Sequence, residues 1–463
     1  MKILSSCLLL IAVCTFAQQL PEDHLAERDA LARRQARAAL EQARSGKPEQ
    51  LWSLLRHSSD PSARSYVIRD LGSSGVSPDV IIQRLAVEPD TSARRALILS
   101  LGSFASYQIP PTKRKALVAR LLALYRDDPD AGIHSAVDWL LRHRRQGLLD
   151  RRLDWQQADA LSAIDRELAG RLQKDRNWFV TKQGDTFTVI RGPVEFTMGA
   201  PDYEPGKDKT DTEALHRERI PRSFAIATKE VAVGQFQRFL DANPEIKRRA
   251  QAAGHRDPSR TGSLLTRLGV DDDSPQVTMT WFEAAQYCNW LSKQDGIPEA
   301  EWCYPPLDQI KEGMQLPHDY LHRTGYRLPT EVEWEYACRA GAATSRFFGF
   351  SEELLREYAW YTGNTFNERP WPVGQLKPND FGLFDMYGNV WEWMGNWYKR
   401  ELTNGFREDT EDAVLIVSKD YERPRRGGSY SYPADFLRSA YRNHYIPDER
   451  RDSVGFRIAR TIR

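Results

Sequence analysis

Cysteine is scarce in this chain. Five occur in 463 residues, two of them, Cys7 and Cys14, in the first apolar segment, and none follows Cys338. That rules out a disulfide framework as the basis of the fold. Net charge is nearly absent as well. At +1 the chain sets up no field that would draw it to nucleic acid or acidic lipid. Long apolar runs are missing too: Leu4–Val13 is too short to span a bilayer, and nothing later is longer. No transmembrane segment is therefore expected. Histidine gives no metal constellation. His57, His134 and His143 are scattered, and the i, i+4 pair His318 and His322 follows Pro317 and stops at Gly325. With no third ligand at helical spacing, a solvated loop is the better reading than an iron site.

What is present reads as a soluble, multidomain protein. Hydrophobic residues make up 41% and charged residues 28%, and the length exceeds one ordinary core, so two or three domains are expected. Residues 1–17 have the form of an export signal, with Lys2 ahead of an apolar segment and Thr15-Phe16-Ala17 as a small-residue cleavage site. The mature protein would then be periplasmic or extracellular. Val13 argues against lipid anchoring at Cys14. For the remaining Cys288, Cys303 and Cys338 the alternatives are one bridged pair in an oxidising compartment or buried thiols.

Residues 18–150 read as an all-α region. A charged helix covers 20–48, and a weak repeat follows. Asp60-Pro-Ser-Ala-Arg64, Asp90-Thr-Ser-Ala-Arg94 and Asp128-Pro-Asp-Ala-Gly132 each lead into an apolar helical face, and Gly72 and Gly102 end the first two. Further helices are expected at Val80–Leu85 and Arg114–Tyr125. Helix pairs at this spacing resemble HEAT repeats, an irregular bundle being the alternative. The expected role is docking or spacing, with a protein partner on this arm. Residues 151–177 are the expected linker, with one helix over Asp154–Lys174. From 178 to 463 the pattern changes to short strands, turns and aromatics. Thr186–Ile190 alternates as a strand, Pro221–Val233 reads as a strand pair, and Gly455–Arg460 as a closing strand. Thr280 with Glu283, and Thr330 with Glu333, are capping boxes that start two amphipathic helices.

One stretch in this region stands out: Phe381-Gly-Leu-Phe-Asp-Met-Tyr-Gly-Asn-Val-Trp-Glu-Trp393. Gly388 allows a sharp turn. Asp385, the carbonyls of Gly388 and Val390, and Glu392 are then candidates to converge on one hard cation, and oxygen-only donors suit Ca²⁺. The alternative is a turn whose side chains cap backbone groups without metal.

The stretch belongs to an ordered series. It runs Phe196-Thr-Met-Gly199, Lys229-Glu-Val231, Tyr326-Arg-Leu-Pro-Thr-Glu-Val-Glu-Trp-Glu-Tyr336, Gly388-Asn-Val-Trp-Glu-Trp393, Arg426-Gly-Gly-Ser-Tyr430 and Gly455-Phe-Arg457. This series resembles the sulfatase-modifying-factor family, whose best-known members are the formylglycine-generating enzymes. The resemblance implies an α+β, C-type-lectin-like domain with low regular secondary structure, here preceded by the all-α HEAT-like region. It also implies a structural calcium at Asp385, Gly388, Val390 and Glu392, although the family usually has Asn at the position of Asp385. The family's other calcium site uses a longer loop than Thr362–Trp371 offers.

The family's enzymes hold Cu(I) with two cysteines shortly after Arg-Gly-Gly-Ser. Here Tyr432 stands in place of the first, and no cysteine follows. A phenol does not replace a thiolate for Cu(I), so copper is not expected. The expected function is a binding or accessory module for a peptide or glycan, gripped by a cleft of Trp391, Trp393, Arg426, Ser429, Tyr430 and Tyr432. The alternative for those aromatics is core packing, and the alternative function is an enzyme of the same superfamily with a different chemistry. Arg423–Arg426 is read as a solvated or carboxylate-paired run, not a nucleic-acid site.

Overall fold

The computed structural model describes residues 22–463 apart from 106, 143–154, 208–211, 256–270, 366–368, 400–404 and 411–413. The expected export signal lies outside these residues. Helices come first: α1 (Glu22–Arg44), α2 (Glu49–Leu54), α3 (Ser62–Asp70), α4 (Pro78–Val87), α5 (Thr91–Leu101), α6 (Pro111–Asp127), α7 (Ala131–Leu141) and α8 (Ala158–Leu168). The acidic starts act as caps. Asp90 accepts from the Ala93 N–H and Asp130 from the Ile133 N–H, each satisfying a donor that the helix itself leaves open. Successive units pack α3 on α5 and α5 on α7. Glycine permits the close approach. A Cβ on Gly72 would collide with the Ser103 carbonyl, and one on Gly102 with the Trp139 ring. The connecting helix is shorter than the sequence predicts: α8 stops at Leu168, because Gly170 turns with φ +74° and donates to the Val180 carbonyl.

Trp178 opens the first strand. Trp178–Val180, Thr186–Ile190, Ser223–Ala227, Ala459–Ile462 and Tyr326–Arg327 form one antiparallel sheet in that order. A second sheet orders Asn443–Tyr445, Arg423–Arg426, Trp391–Trp393 and Val454–Gly455, the last pair parallel. Two strand expectations need correction. Ser223–Ala227 is a single strand, and its neighbour in sequence, His216–Ile220, belongs to a different sheet. The Pro221 ring has no N–H to continue a ladder, so the chain changes sheets there. The closing segment is likewise split. Val454–Gly455 and Ala459–Ile462 join different sheets, and Arg457 between them turns inward to a buried carboxylate. The capping boxes hold: Thr280 heads the helix Trp281–Gln294 and Thr330 the helix Glu331–Arg339.

With little regular structure, the C-terminal region is tied by buried ion pairs. Arg327 pairs with Glu333, Arg426 with Glu335 and Glu331, Arg438 with Glu204 and Glu213, and Arg457 with Glu392. Each of these guanidinium groups is essentially inaccessible to water. The basic run Arg423–Arg426 is thus a buried strand rather than a solvated surface: Arg426 meets carboxylates, Arg423 donates to the Gly395 carbonyl and Arg425 to the Asn443 side chain.

The helical region is not a projecting arm. α7 is buried along its whole length, and its apolar residues share one core cluster with Trp178, Trp334, Leu383 and Phe384 of the C-terminal region. Asp380 receives Arg64 at 2.8 and 3.0 Å and His57 at 2.9 Å. Trp178 donates to the Asp128 carbonyl at 2.9 Å, and Lys229 reaches Asp138 at 2.6 Å. At the seam, Gly132 and Gly382 let two backbones touch, since a Cβ on either would strike the opposite chain.

His134 sits at this seam, stacked between Tyr125 and Trp178 with ring centroids 3.9 and 3.6 Å away. Its Nδ1 faces the Tyr125 carbonyl at 2.8 Å, so the neutral ring carries its proton there. Burial lowers its pKa to about 3. A histidine held neutral in the fold stabilises it fully above the unfolded pKa of about 6.5, and that contribution is lost as pH falls toward the folded value. Acidification from pH 7 to 5 should therefore cost about 2 kcal/mol through this residue. Melting curves across that range should show a steeper acid decline in the wild type than in His134→Gln. Equal slopes would exclude His134 as the cause.

Candidate functional site

The structure gathers part of the expected cation site into a buried carboxylate cluster. Gly388 turns at φ +74°, and a side chain there would collide with the Trp360 carbonyl. Asp385 adopts φ +54° and points inward. Its Oδ2 accepts from the Gly374 N–H at 2.6 Å, while its Oδ1 is buried without a hydrogen-bond partner. Glu392 is placed differently from the expectation. Arg457 holds both its oxygens, at 2.6 and 2.7 Å, and Trp334 donates to Oε2 at 2.8 Å. Its lone pairs are largely engaged by a guanidinium, because the Gly-Phe-Arg segment returns alongside the strand Trp391–Trp393.

A third carboxylate joins them. Glu230 accepts from the Asn389 side chain at 2.7 Å and from the Val390 N–H at 3.2 Å. Sequence reasoning missed it as a site residue, although it sits in the Lys229-Glu-Val231 element of the ordered series. Burial, then the charges of Asp385 and Glu392, raise Glu230 well above the usual carboxylate range. Burial likewise pushes Asp385 up to about 6, against the lowering pull of the Gly374 N–H and Arg457. Arg457 is the only cation ion-paired within this cluster among the described residues, since Lys229 is turned to Asp138. The cluster thus carries more negative than positive charge. Among the described residues no three His, Cys, Asp or Glu side chains are arranged to hold a metal, so any cation here would rely on backbone carbonyls.

The aromatic cleft residues lie inside. Trp391, Trp393, Arg426 and Ser429 are fully buried, and Tyr430 nearly so. Trp391 packs against the Tyr432 ring edge at 5.2 Å and Arg426 is spent on Glu335 and Glu331. Only Tyr432 of the six is partly exposed. Tyr432 also packs on Phe436, so the segment after Arg-Gly-Gly-Ser is plugged by its own side chains. The three cysteines are buried, and burial raises all three thiols, Cys303 and Cys338 to about 12. His318 is exposed.

An open concavity lies elsewhere. A crevice of about 910 Å³ runs between the helical and C-terminal regions. α7 and α8 form one wall with Asp138, Ala158 and Ser162. Glu230, Asp271–Asp273 and Trp371 line the other. Nothing in the sequence announces it, because its walls come from segments that are far apart in the chain.

Residues 178–462 match the family described as "Sulfatase-modifying factor enzyme 1-like domain". The chain is 26% identical over 280 residues to the formylglycine-generating enzyme of Bos taurus, covering 57% of this chain and 72% of the bovine protein. It is 28% identical over 249 residues to the serine/threonine-protein kinase pkn1 of Chlamydia pneumoniae, covering 52% of this chain but only 34% of the kinase. Among solved structures, PvdO from Pseudomonas aeruginosa aligns at 25% identity with a TM-score of 0.46, over 62% of this chain and 98% of that one. With the ordered motifs in place and more than half its length matched, the chain belongs to the sulfatase-modifying-factor family through its C-terminal, formylglycine-generating-enzyme-like domain.

Proposed function

We propose that this protein is an exported binding or accessory member of its family, without copper-dependent cysteine oxidase activity. One observation carries the reading: Tyr432 stands where the first copper thiolate would be, its ring packed on Trp391 and Phe436. The remaining thiols are sealed in the core with raised pKa values, and a soft Cu(I) ion needs accessible thiolate. The donor set does not fit copper. Purified protein given Cu(I), O₂ and a sulfatase-type cysteine peptide should form no formylglycine above the protein-free control. Product at enzyme-like rates would overturn the proposal.

The reading includes a structural calcium. The partnerless, buried Oδ1 of Asp385 and the surplus negative charge around it support one. Asp385 with the Gly388 and Val390 carbonyls would hold the ion, and Glu392, already paired to Arg457, would contribute charge. Chelation should then lower the melting temperature. A ligand present at a hundred times its Kd stabilises by about 2.7 kcal/mol. Asp385→Ala should abolish the response, while Asp385→Asn, which keeps an oxygen, should retain it. Glu392→Ala is a poor test, since it strands Arg457 whether or not metal binds. A wild type indifferent to chelator would remove calcium from the account.

A further inference from the structure

With the aromatic residues buried, the binding reading needs another surface. We propose that the interdomain crevice is that surface and that its ligand is a cationic peptide segment, recognised through lysine or arginine side chains. The inference rests on the binding-module reading and names its site and ligand class.

Three independent observations support it. The first is size and construction. At about 910 Å³ the crevice is large enough for several residues of extended chain, and it exists only because α7 and α8 dock against the C-terminal region. The second is charge. Carboxylates outnumber cations along its lining, and two of those cations are already committed. Arg142 serves Asp138 and Asp165, and Lys229 serves Asp138. Opposite them, Asp272 and Asp273 are exposed at the rim and enter no ion pair among the described residues. Deeper in, Glu230 lines the crevice at 2% exposure, held by two neutral donors and by no cation in an ion pair. Burial and the neighbouring carboxylates disfavour its charge, and a cation supplied from outside would favour it. The third is the aromatic wall. Trp371 lines the crevice, backed by the stacked Trp360 ring at 4.5 Å, and Arg369 already lies 5.4 Å from its centroid. A ligand guanidinium would take the place that Arg369 holds over this ring, the mode by which indole rings receive cations.

An acidic rim over a deep carboxylate and an indole face disfavours anionic ligands and gives little to a neutral glycan. A peptide carrying two or more positive charges answers all three elements at once, with the rim steering its approach.

The test uses the full chain and a fluorescent hexapeptide of alternating lysine and alanine, followed by anisotropy. A glutamate-for-lysine peptide, spermidine and neutral oligosaccharides are the comparison ligands. The lysine peptide should bind, more weakly as salt rises, and the glutamate peptide should not. The double variant Asp272→Asn, Asp273→Asn should weaken binding by at least about tenfold. Ala158→Trp, a neutral change on the opposite wall, should weaken it as much by filling the crevice. Both variants should keep the wild-type melting temperature. Competition by spermidine at equal concentration would support the cationic chemistry and narrow the ligand to a small polyamine. Lysine-peptide binding that is unchanged in both variants would overturn the assignment. Oligosaccharide binding that Ala158→Trp abolishes, without lysine-peptide binding, would overturn the ligand class while leaving the module reading intact. Binding of none of these ligands would count against both.

Discussion

Arg457→Met should lower stability by about 3–5 kcal/mol, because it strands a buried carboxylate. Glu392 has no water contact, and its other hydrogen-bond partner is the Trp334 indole N–H. Arg457 also donates to the Ala227 and Phe384 carbonyls, at 3.1 and 2.9 Å, so its loss opens three elements together. At roughly 2–4 °C per kcal/mol for a domain of this size, the melting temperature should fall by about 6–20 °C. The double variant Arg457→Met, Glu392→Met should be less damaged than Arg457→Met alone, since two apolar side chains leave no orphaned charge. A single variant that melts with the wild type would show that the pair contributes nothing, and a double variant worse than the single would show that packing, not charge, governs the site.

Asp380→Ala should cost a comparable amount, about 3–5 kcal/mol, by breaking a nearly buried ion-pair hub. Its carboxylate binds Arg64 in two places and His57 in one, and Arg95 lies 3.8 Å away. Removing it leaves Arg64, whose side chain is 8% exposed, without a counter-charge. The loss should be local. Hydrogen exchange should rise along α5 and α7 and stay unchanged in the helix Trp281–Gln294, which lies in a different core cluster. Uniform exchange would assign the effect to global unfolding instead. Acid should act on the same hub. Burial alone would push Asp380 up, yet Arg64, the His57 hydrogen bond and Arg95 hold it well below the usual carboxylate range. A depressed folded pKa stabilises above the unfolded value near 4 and loses that contribution as pH falls below it. The seam should therefore weaken in two acid steps, His134 first and Asp380 later.

Local chemistry in this chain was legible. Thr280 and Thr330 announce their helices because a capping box lies within four residues, and Asp90 and Asp130 do the same for α5 and α7. The ordered motifs identified the domain without help from any coordinate. What stayed hidden was pairing at long range. Arg457 and Glu392 are 65 residues apart, and Arg426 and Glu335 are 91. No periodicity marks such partners, so Gly455–Arg460 looked like one strand although Arg457 interrupts it. The candidate site divides the same way. Asp385 could be named from its own turn, whereas Glu230 and the crevice depend on how distant segments fold together. Trp391 and Trp393 looked like a binding surface because composition does not separate an exposed aromatic from a buried one.

The shared core of α7 with Trp178, Leu383 and Phe384 has a consequence for how the protein can be divided. The unit recognised by kinship starts at residue 178, but the unit that folds does not. A cut there would bare the faces that α3, α5 and α7 cover and leave Asp380 without its cations. Heredity and cooperativity therefore draw different borders in this chain. The helical segment is part of the C-terminal region's interior and not an appendage to it.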